Sequence, residues 1–103
     1  MTDKMGWIEY NDGKTIGTRG SEEGIIIKDE EYQKSCCITL EKTERGYAIT
    51  CGVYGAMVHT AFANKDNYLE MYSTMKRDLA EFIDKKLKPP ETYDFYDEFT
   101  RKY

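Results

Sequence analysis

Two segments of alternating apolar and polar residues, separated by a short polar turn, constrain the fold more than any other feature of this chain. They cover residues 35–42 and 47–53, and the turn is Thr43-Glu44-Arg45-Gly46. If Thr43 lies opposite Gly46, every apolar residue of the hairpin points to one face, because side chains alternate along a strand. This register predicts an antiparallel hairpin with one fully apolar face. That face consists of Cys36, Ile38, Leu40, Ile49, Cys51 and Val53.

Residues 64–88 change to the spacing of an amphipathic helix. Apolar residues recur there at intervals of three and four, which places them on one helical face. Asn64 or Asp66 suits the N-cap position, and Pro89-Pro90 ends the helical pattern. Because this helix is large enough to cover the hairpin, we predict that it packs on the apolar face.

Further strands are predicted on both sides of the hairpin. Residues 7–10 and 15–18 look like two strands joined by Asn11-Asp12-Gly13-Lys14, because Asp-Gly favours a two-residue hairpin turn. The run Ile25-Ile26-Ile27 is β-branched and typical of a strand. The order of elements predicts an α+β fold, an antiparallel β-sheet meander of about four to six strands. One long C-terminal amphipathic helix covers one face, and a short aromatic tail follows.

Two arrangements are open at Val53-Tyr54-Gly55-Ala56. A tight turn with Gly55 at positive φ would pair the second strand of the hairpin with the strand that follows. A bulge at Gly55 would instead leave one long bent strand. We favour the turn. In its expected register Met57 and His59 point away from the core, and the apolar face gains Val58, Thr60 and Phe62.

The second face of the predicted sheet is a candidate ligand or partner site. Small residues form its floor, and a few larger, chemically versatile side chains stand above it. The candidate residues are Cys37, Thr39, Thr50, Tyr54, Met57 and His59. A catalytic Cys37–His59 pair would have to bridge roughly 10 Å, because the two residues lie two strands apart. Cys36 and Cys51 are expected to be small buried hydrophobes.

The last thirteen residues are acidic and hold five aromatic side chains. Tyr96, Phe99 and Tyr103 would share one face of a short helix. We therefore divide the chain into a single α+β domain, residues 1–90, and a tail, residues 91–103, that docks on its own chain or on a partner. The tail residues expected to interact are Tyr93, Phe95, Tyr96, Phe99 and Tyr103.

Charge and cysteine content narrow the range of functions. The net charge is −4, and an acidic domain repels phosphate, so nucleic acid is not an expected partner. No apolar run reaches the ~18–20 residues of a membrane span, and residues 1–10 lack the apolar run of a signal peptide. We expect a cytoplasmic protein without a membrane partner. Three cysteines without a CxxC pair indicate neither a disulfide framework nor a metal site.

No sequence motif for phosphate binding, metal-dependent hydrolysis or serine catalysis occurs, and no cofactor is implied. We therefore expect a small acidic protein-interaction or regulatory module, self-associating as a homodimer or bound to a protein partner, without intrinsic catalysis. Nine tyrosines agree with half-buried contact surfaces. The alternative is a small-molecule binder or weak thiol-dependent enzyme that uses the sheet face around Cys37 and His59.

Overall fold

A computed structural model describes residues 6–103; the first five residues, part of the segment assessed for a signal peptide, lie outside it. Within residues 6–103, five strands form one antiparallel sheet in chain order, and two α-helices follow. The α+β class and the meander are confirmed. The elements are β1 (Trp7–Glu9), β2 (Ile25–Tyr32), β3 (Cys36–Thr43), β4 (Gly46–Val53), β5 (Met57–Ala63), α1 (Tyr68–Lys85) and α2 (Glu91–Lys102).

The β3–β4 hairpin has the predicted register. Thr43 pairs with Gly46 across a two-residue turn, and Leu40 pairs with Ile49. Both Leu40 and Ile49 are completely buried, in one core cluster with Met75 and Leu79 of α1. Burial of a side chain of this size contributes about 1.5–3 kcal/mol, so this face provides much of the stability of the fold.

The register between β4 and β5 differs by one residue from the prediction. The turn forms, with Gly55 at a φ of +77°, but the residue paired with Val53 is Met57. A shift of one residue moves every side chain of a strand to the other face. Met57 and His59 therefore lie on the helix-covered face. The side chains predicted for the core lie on the opposite face, and these are Val58, Thr60 and Phe62.

The predicted hairpin between residues 7–10 and 15–18 is also wrong. Strand β1 pairs with β2 instead, with Trp7 opposite Tyr32. All three residues 11–13 have positive φ, so the chain makes a wider turn than a two-residue hairpin requires. It then returns along the same edge of the sheet, where Gly17 and Thr18 form backbone hydrogen bonds with Ile26.

Helix α1 is shorter than its apolar pattern indicates. It begins at Tyr68 because Asn64 forms a separate turn, in which its side-chain oxygen accepts the backbone N–H groups of Asp66 and Asn67. It ends at Lys85, since Lys86 has a left-handed φ of 53°. No helix within residues 6–103 combines the length and the apolar character needed to cross a membrane.

Polar side chains also fasten α1 to the sheet. The Glu30 carboxylate of β2 accepts hydrogen bonds from the Lys76 ammonium at 2.7 Å and from the Tyr72 hydroxyl at 2.8 Å. The side chains of Glu30 and Lys76 are only 11% and 12% exposed. Two residues further along β2, the Tyr32 hydroxyl donates to the Asp84 carboxylate. The polar groups buried between β2 and α1 therefore have partners, as buried charges require.

Candidate interaction surface

The sheet face opposite the two helices is largely uncovered, and we call it the open face. The loop of residues 20–24 covers one corner, where the backbone N–H groups of Glu22 and Gly24 donate to the buried Glu41 carboxylate. In the remainder, Asp29 and Gly52 are buried, and the other residues are partly or largely exposed. Residues that line it are Ile8, Asp29, Glu31, Cys37, Thr39, Thr50, Gly52, Val58, Thr60 and Phe62.

A concavity of about 520 Å³ lies at the β4–β5 end of the open face. Its low floor comes from Gly52, where a side chain would come within 2.9 Å of the Met57 carbonyl oxygen. Tyr54 and Val58 stand on its rim. Further lining residues are Cys37, Thr39 and Thr50. Five of the six residues predicted for a site thus line this concavity, and these are Cys37, Thr39, Thr50, Tyr54 and Met57.

Tyr54 reaches across the sheet from the β4–β5 turn. Its hydroxyl donates to the Glu31 carboxylate on β2 at 2.7 Å, and its backbone N–H donates to the Ser35 carbonyl oxygen at 3.0 Å. Two turns at the same end of the sheet are therefore tied together. Because Glu31 lies opposite Cys37 in the sheet, the Tyr54 side chain passes beside the Cys37 thiol.

The chemistry of Cys37 is that of a protonated thiol. Burial is the main cause that raises its pKa, and the hydrogen bond with Tyr54 opposes this rise. The Asp29 and Glu31 carboxylates raise the pKa further by smaller amounts, and the Gly52 backbone lowers it least. The nucleophilic form of cysteine is the thiolate. Near neutral pH this thiol is therefore a weak nucleophile. Burial also raises the pKa of Cys36 and of Cys51 to about 12.

His59 and Met57 belong to the opposite face. Met57 is buried in the core cluster, and the His59 ring lies edge-on to Phe99 of α2 at 6.1 Å between ring centres. The His59 Nε2 atom is buried and has no hydrogen-bond partner within residues 6–103. The sheet itself separates His59 from Cys37, so the catalytic pair considered from the sequence does not form.

The electrostatic character of the open face is acidic. The Asp29 carboxylate accepts hydrogen bonds from the hydroxyls of Thr15 at 2.8 Å and Thr39 at 2.9 Å. Glu31 lies two residues further along β2, on the same side. No group of three or more metal-binding side chains occurs in the part of the chain that the structure describes. Among residues 6–103, hydroxyl groups and not cations donate hydrogen bonds to the Asp29 and Glu31 carboxylates.

The outer edge of β5 is the feature that the sequence interpretation missed. Its seven residues contain neither a charged side chain nor a proline. None of them makes a backbone hydrogen bond beyond the pairing with β4 within residues 6–103. Natural sheets usually protect an edge with charges, prolines, bulges or short strands. The absence of charge between residues 57 and 63 was the available signal.

The aromatic tail docks on its own chain as α2. Phe99 is only 2% exposed, and the Phe95 ring stacks on Phe82 of α1 at 4.1 Å. The Tyr103 hydroxyl donates to the Asp78 carboxylate at 2.6 Å. Tyr93 is the exception among the predicted tail residues, since its side chain is exposed. Most of the aromatic surface of the tail is therefore used within the molecule.

Comparisons with protein-family models, with curated proteins and with solved structures find no match to this chain. Two features of the surface described above point to a ligand or partner: the concavity of the open face and the bare edge of β5.

Proposed function

We propose that this chain is a non-catalytic protein-interaction module that self-associates by strand addition at β5. The observation that carries this proposal is the edge of β5, seven uncharged residues whose outward backbone groups have no partner within residues 6–103. Strand addition supplies main-chain hydrogen bonds to such an edge, and the neighbouring side chains select the partner.

The side chains beside this edge support the same proposal. Val58 is 80% exposed and Phe62 is 68% exposed, the two highest values among the large apolar residues described. Both lie on the open face of β5, directly next to the free edge. An added strand would cover part of each side chain, and the burial of apolar surface contributes about 25 cal/mol per Å².

The opposite edge of the sheet is built differently. Strand β1 has only three residues, and the returning segment at residues 17–19 pairs with the first residues of β2. A short edge strand is one of the devices that limit edge-to-edge association. Self-association is therefore assigned to β5 and not to β1.

The test compares two substitutions that place the same charge on the two edges. Val58→Lys and Ile8→Lys each replace an exposed β-branched residue of the open face, so neither should unfold the chain. We expect sedimentation equilibrium to show a dimer for the native protein and for Ile8→Lys, and a monomer for Val58→Lys. A native protein that is monomeric at all concentrations, or equal behaviour of the two variants, would overturn the proposal.

A second candidate function is the binding of a small molecule in the concavity of the open face. Its volume of about 520 Å³ is in the usual range of ~300–1,000 Å³ for ligand sites. One thiol, two hydroxyls and the Tyr54 ring line it. A fragment screen by NMR tests this candidate, with Cys37→Ser as a probe of contact. Shifts confined to the resonances of Cys37, Thr50 and Tyr54 would support it, and no binding would reject it.

A further inference from the structure

We infer that β5 pairs antiparallel with β5 of a second copy, about a two-fold axis that passes through Thr60. This inference rests on the proposed self-association and adds its register. The closed dimer would contain one continuous sheet of ten strands, with the helices of both copies on one side. The partner is thus a second copy of this chain, held strand to strand.

The length of β5 favours Thr60 as the centre. In a symmetric antiparallel pair, a residue at a given distance before the axis lies opposite the residue at the same distance after it. Thr60 is the middle residue of Met57–Ala63, so a pair centred there includes all seven residues of both strands. A centre at His59 or at Ala61 would leave two residues of each strand unpaired.

On the helix-covered face, this register places large side chains opposite small ones. Met57 would lie opposite Ala63 of the second copy, and His59 opposite Ala61. A centre at His59 would instead put the two imidazole rings directly against each other. Because facing side chains in a sheet are only ~4.5–5.5 Å apart at Cβ, the pairing of large with small fits best.

On the open face, the same register joins the most exposed apolar side chains. Val58 would lie opposite Phe62 of the second copy, and this contact would occur twice because of the symmetry. Pairs of an aromatic with a β-branched residue contribute roughly 0.2–1 kcal/mol relative to alanine. Between these two contacts, Thr60 would lie opposite its own copy. In the single chain its hydroxyl oxygen is already 3.2 Å from that of Thr50, which would extend a row of threonines across the interface.

No like charges oppose this pairing. The seven residues of β5 include no Asp, Glu, Lys or Arg, although the chain as a whole carries a net charge of −4. Two copies of an acidic protein repel each other, so an interface centred on a neutral strand reduces that cost. The acidic residues of the open face, Asp29 and Glu31 on β2 and the covered Glu41 on β3, lie at least two strands away from the edge.

Disulfide cross-linking tests the register in the full-length chain carrying Cys37→Ser, which removes the half-buried native thiol and leaves two buried ones. Bridged cysteines need Cα atoms about 4.4–6.8 Å apart, a distance that facing residues satisfy. We expect Thr60→Cys to form a disulfide-linked dimer under mild oxidation. Val58→Cys alone and Phe62→Cys alone should not, because each residue would be roughly 13 Å from its own copy along the strand direction.

A mixture of the two single variants provides the matched positive control. Val58→Cys mixed with Phe62→Cys should give a mixed disulfide dimer, which mass spectrometry distinguishes from either homodimer. Both positions are exposed, so this arm does not depend on whether Thr60→Cys folds normally. A self-cross-link at position 58 or 62, or a dimer without any of the expected cross-links, would overturn the register and leave the proposed self-association in place. Absence of a dimer in sedimentation would overturn both.

Discussion

The two faces of the sheet are built from the same strands but have opposite roles. On the helix-covered face, Ile38 is completely buried, whereas its neighbour Thr39 on the open face is only partly buried. The first face holds the core, and its buried Glu30 charge is neutralised by Lys76. The second face holds a concavity, the carboxylates of Asp29, Glu31 and Glu41, and the most exposed apolar residues. The alternation of side chains along each strand thus separates the residues that stabilise the fold from the exposed face to which we assign recognition.

The largest contrast between the faces is expected from truncation of apolar side chains. Leu40→Ala should lower the free energy of unfolding by about 2–5 kcal/mol, because it leaves a cavity in a closely packed core. Leu40 has no exposed surface. Val58→Ala on the open face should change the free energy of unfolding by less than about 0.5 kcal/mol. Urea unfolding compares the two variants, at protein concentrations below those at which the chain associates. Similar losses of stability in both would contradict the division between a stabilising face and an open face.

Removal of the buried Lys76 cation between α1 and the sheet should lower stability almost as much. Lys76→Met leaves the Glu30 carboxylate without its ionic partner, and breaking a buried pair from one side costs about 3–5 kcal/mol. The double variant Glu30→Met, Lys76→Met should recover most of that loss, since it removes both charges. Thermal unfolding of the single and double variants measures the coupling. A double variant as unstable as Lys76→Met would contradict this prediction, because the loss of stability would then not come from the unpaired Glu30 charge.

The tail contact with α1 should make stability depend on acid pH. Burial alone would raise the pKa of Asp78, but the hydrogen bonds from Tyr103 and Lys102 outweigh it and lower that pKa below its usual value. A carboxyl with a lowered pKa in the folded state stabilises it above the unfolded pKa of about 3.9, and this contribution is lost as the pH falls further.

Tyr103→Phe should weaken this pH dependence, and at neutral pH it should cost about 1.5 kcal/mol, as for a hydrogen bond to a charged group. Unfolding curves between pH 2 and 7 provide the measurement, at roughly one-unit steps around the carboxyl pKa. Thr100→Ala on the solvent side of α2 is the control. An unchanged acid dependence in Tyr103→Phe would mean that this hydrogen bond does not hold the tail in solution.

The smallest effect is expected at His59, where the helix-covered face reaches the free edge. His59→Phe removes the buried nitrogen that has no partner within residues 6–103 and keeps an aromatic ring beside Phe99. We expect a gain of about 1 kcal/mol, because an unsatisfied buried polar atom is destabilising. Urea unfolding at low protein concentration tests this, with His59→Ala as a control that should lose stability. A loss in both variants would indicate that the nitrogen has a partner.

The β3–β4 hairpin could be predicted to the residue, whereas the neighbouring hairpin could not. Six apolar side chains alternate without exception in β3 and β4, and a two-residue turn leaves one register that buries all of them. In β5, however, Met57 and Val58 are both apolar. The loop Tyr54-Gly55-Ala56 is compatible with either of two registers, one that turns Met57 towards the core and one that turns Val58 towards it. The candidate site was therefore only partly assembled: Cys37 and Thr50 lie on the expected face, and His59 does not.

Local patterns in the sequence determined the α+β class, the central register and the amphipathic character of α1, because each depends on residues close together in the chain. The tertiary structure decided which strand pairs with β1, which face receives β5 and where the tail docks. These choices depend on contacts between distant residues, such as Trp7 with Tyr32 and Phe95 with Phe82. Their free energies arise only when the whole sheet and both helices are packed together, so no single segment encodes them.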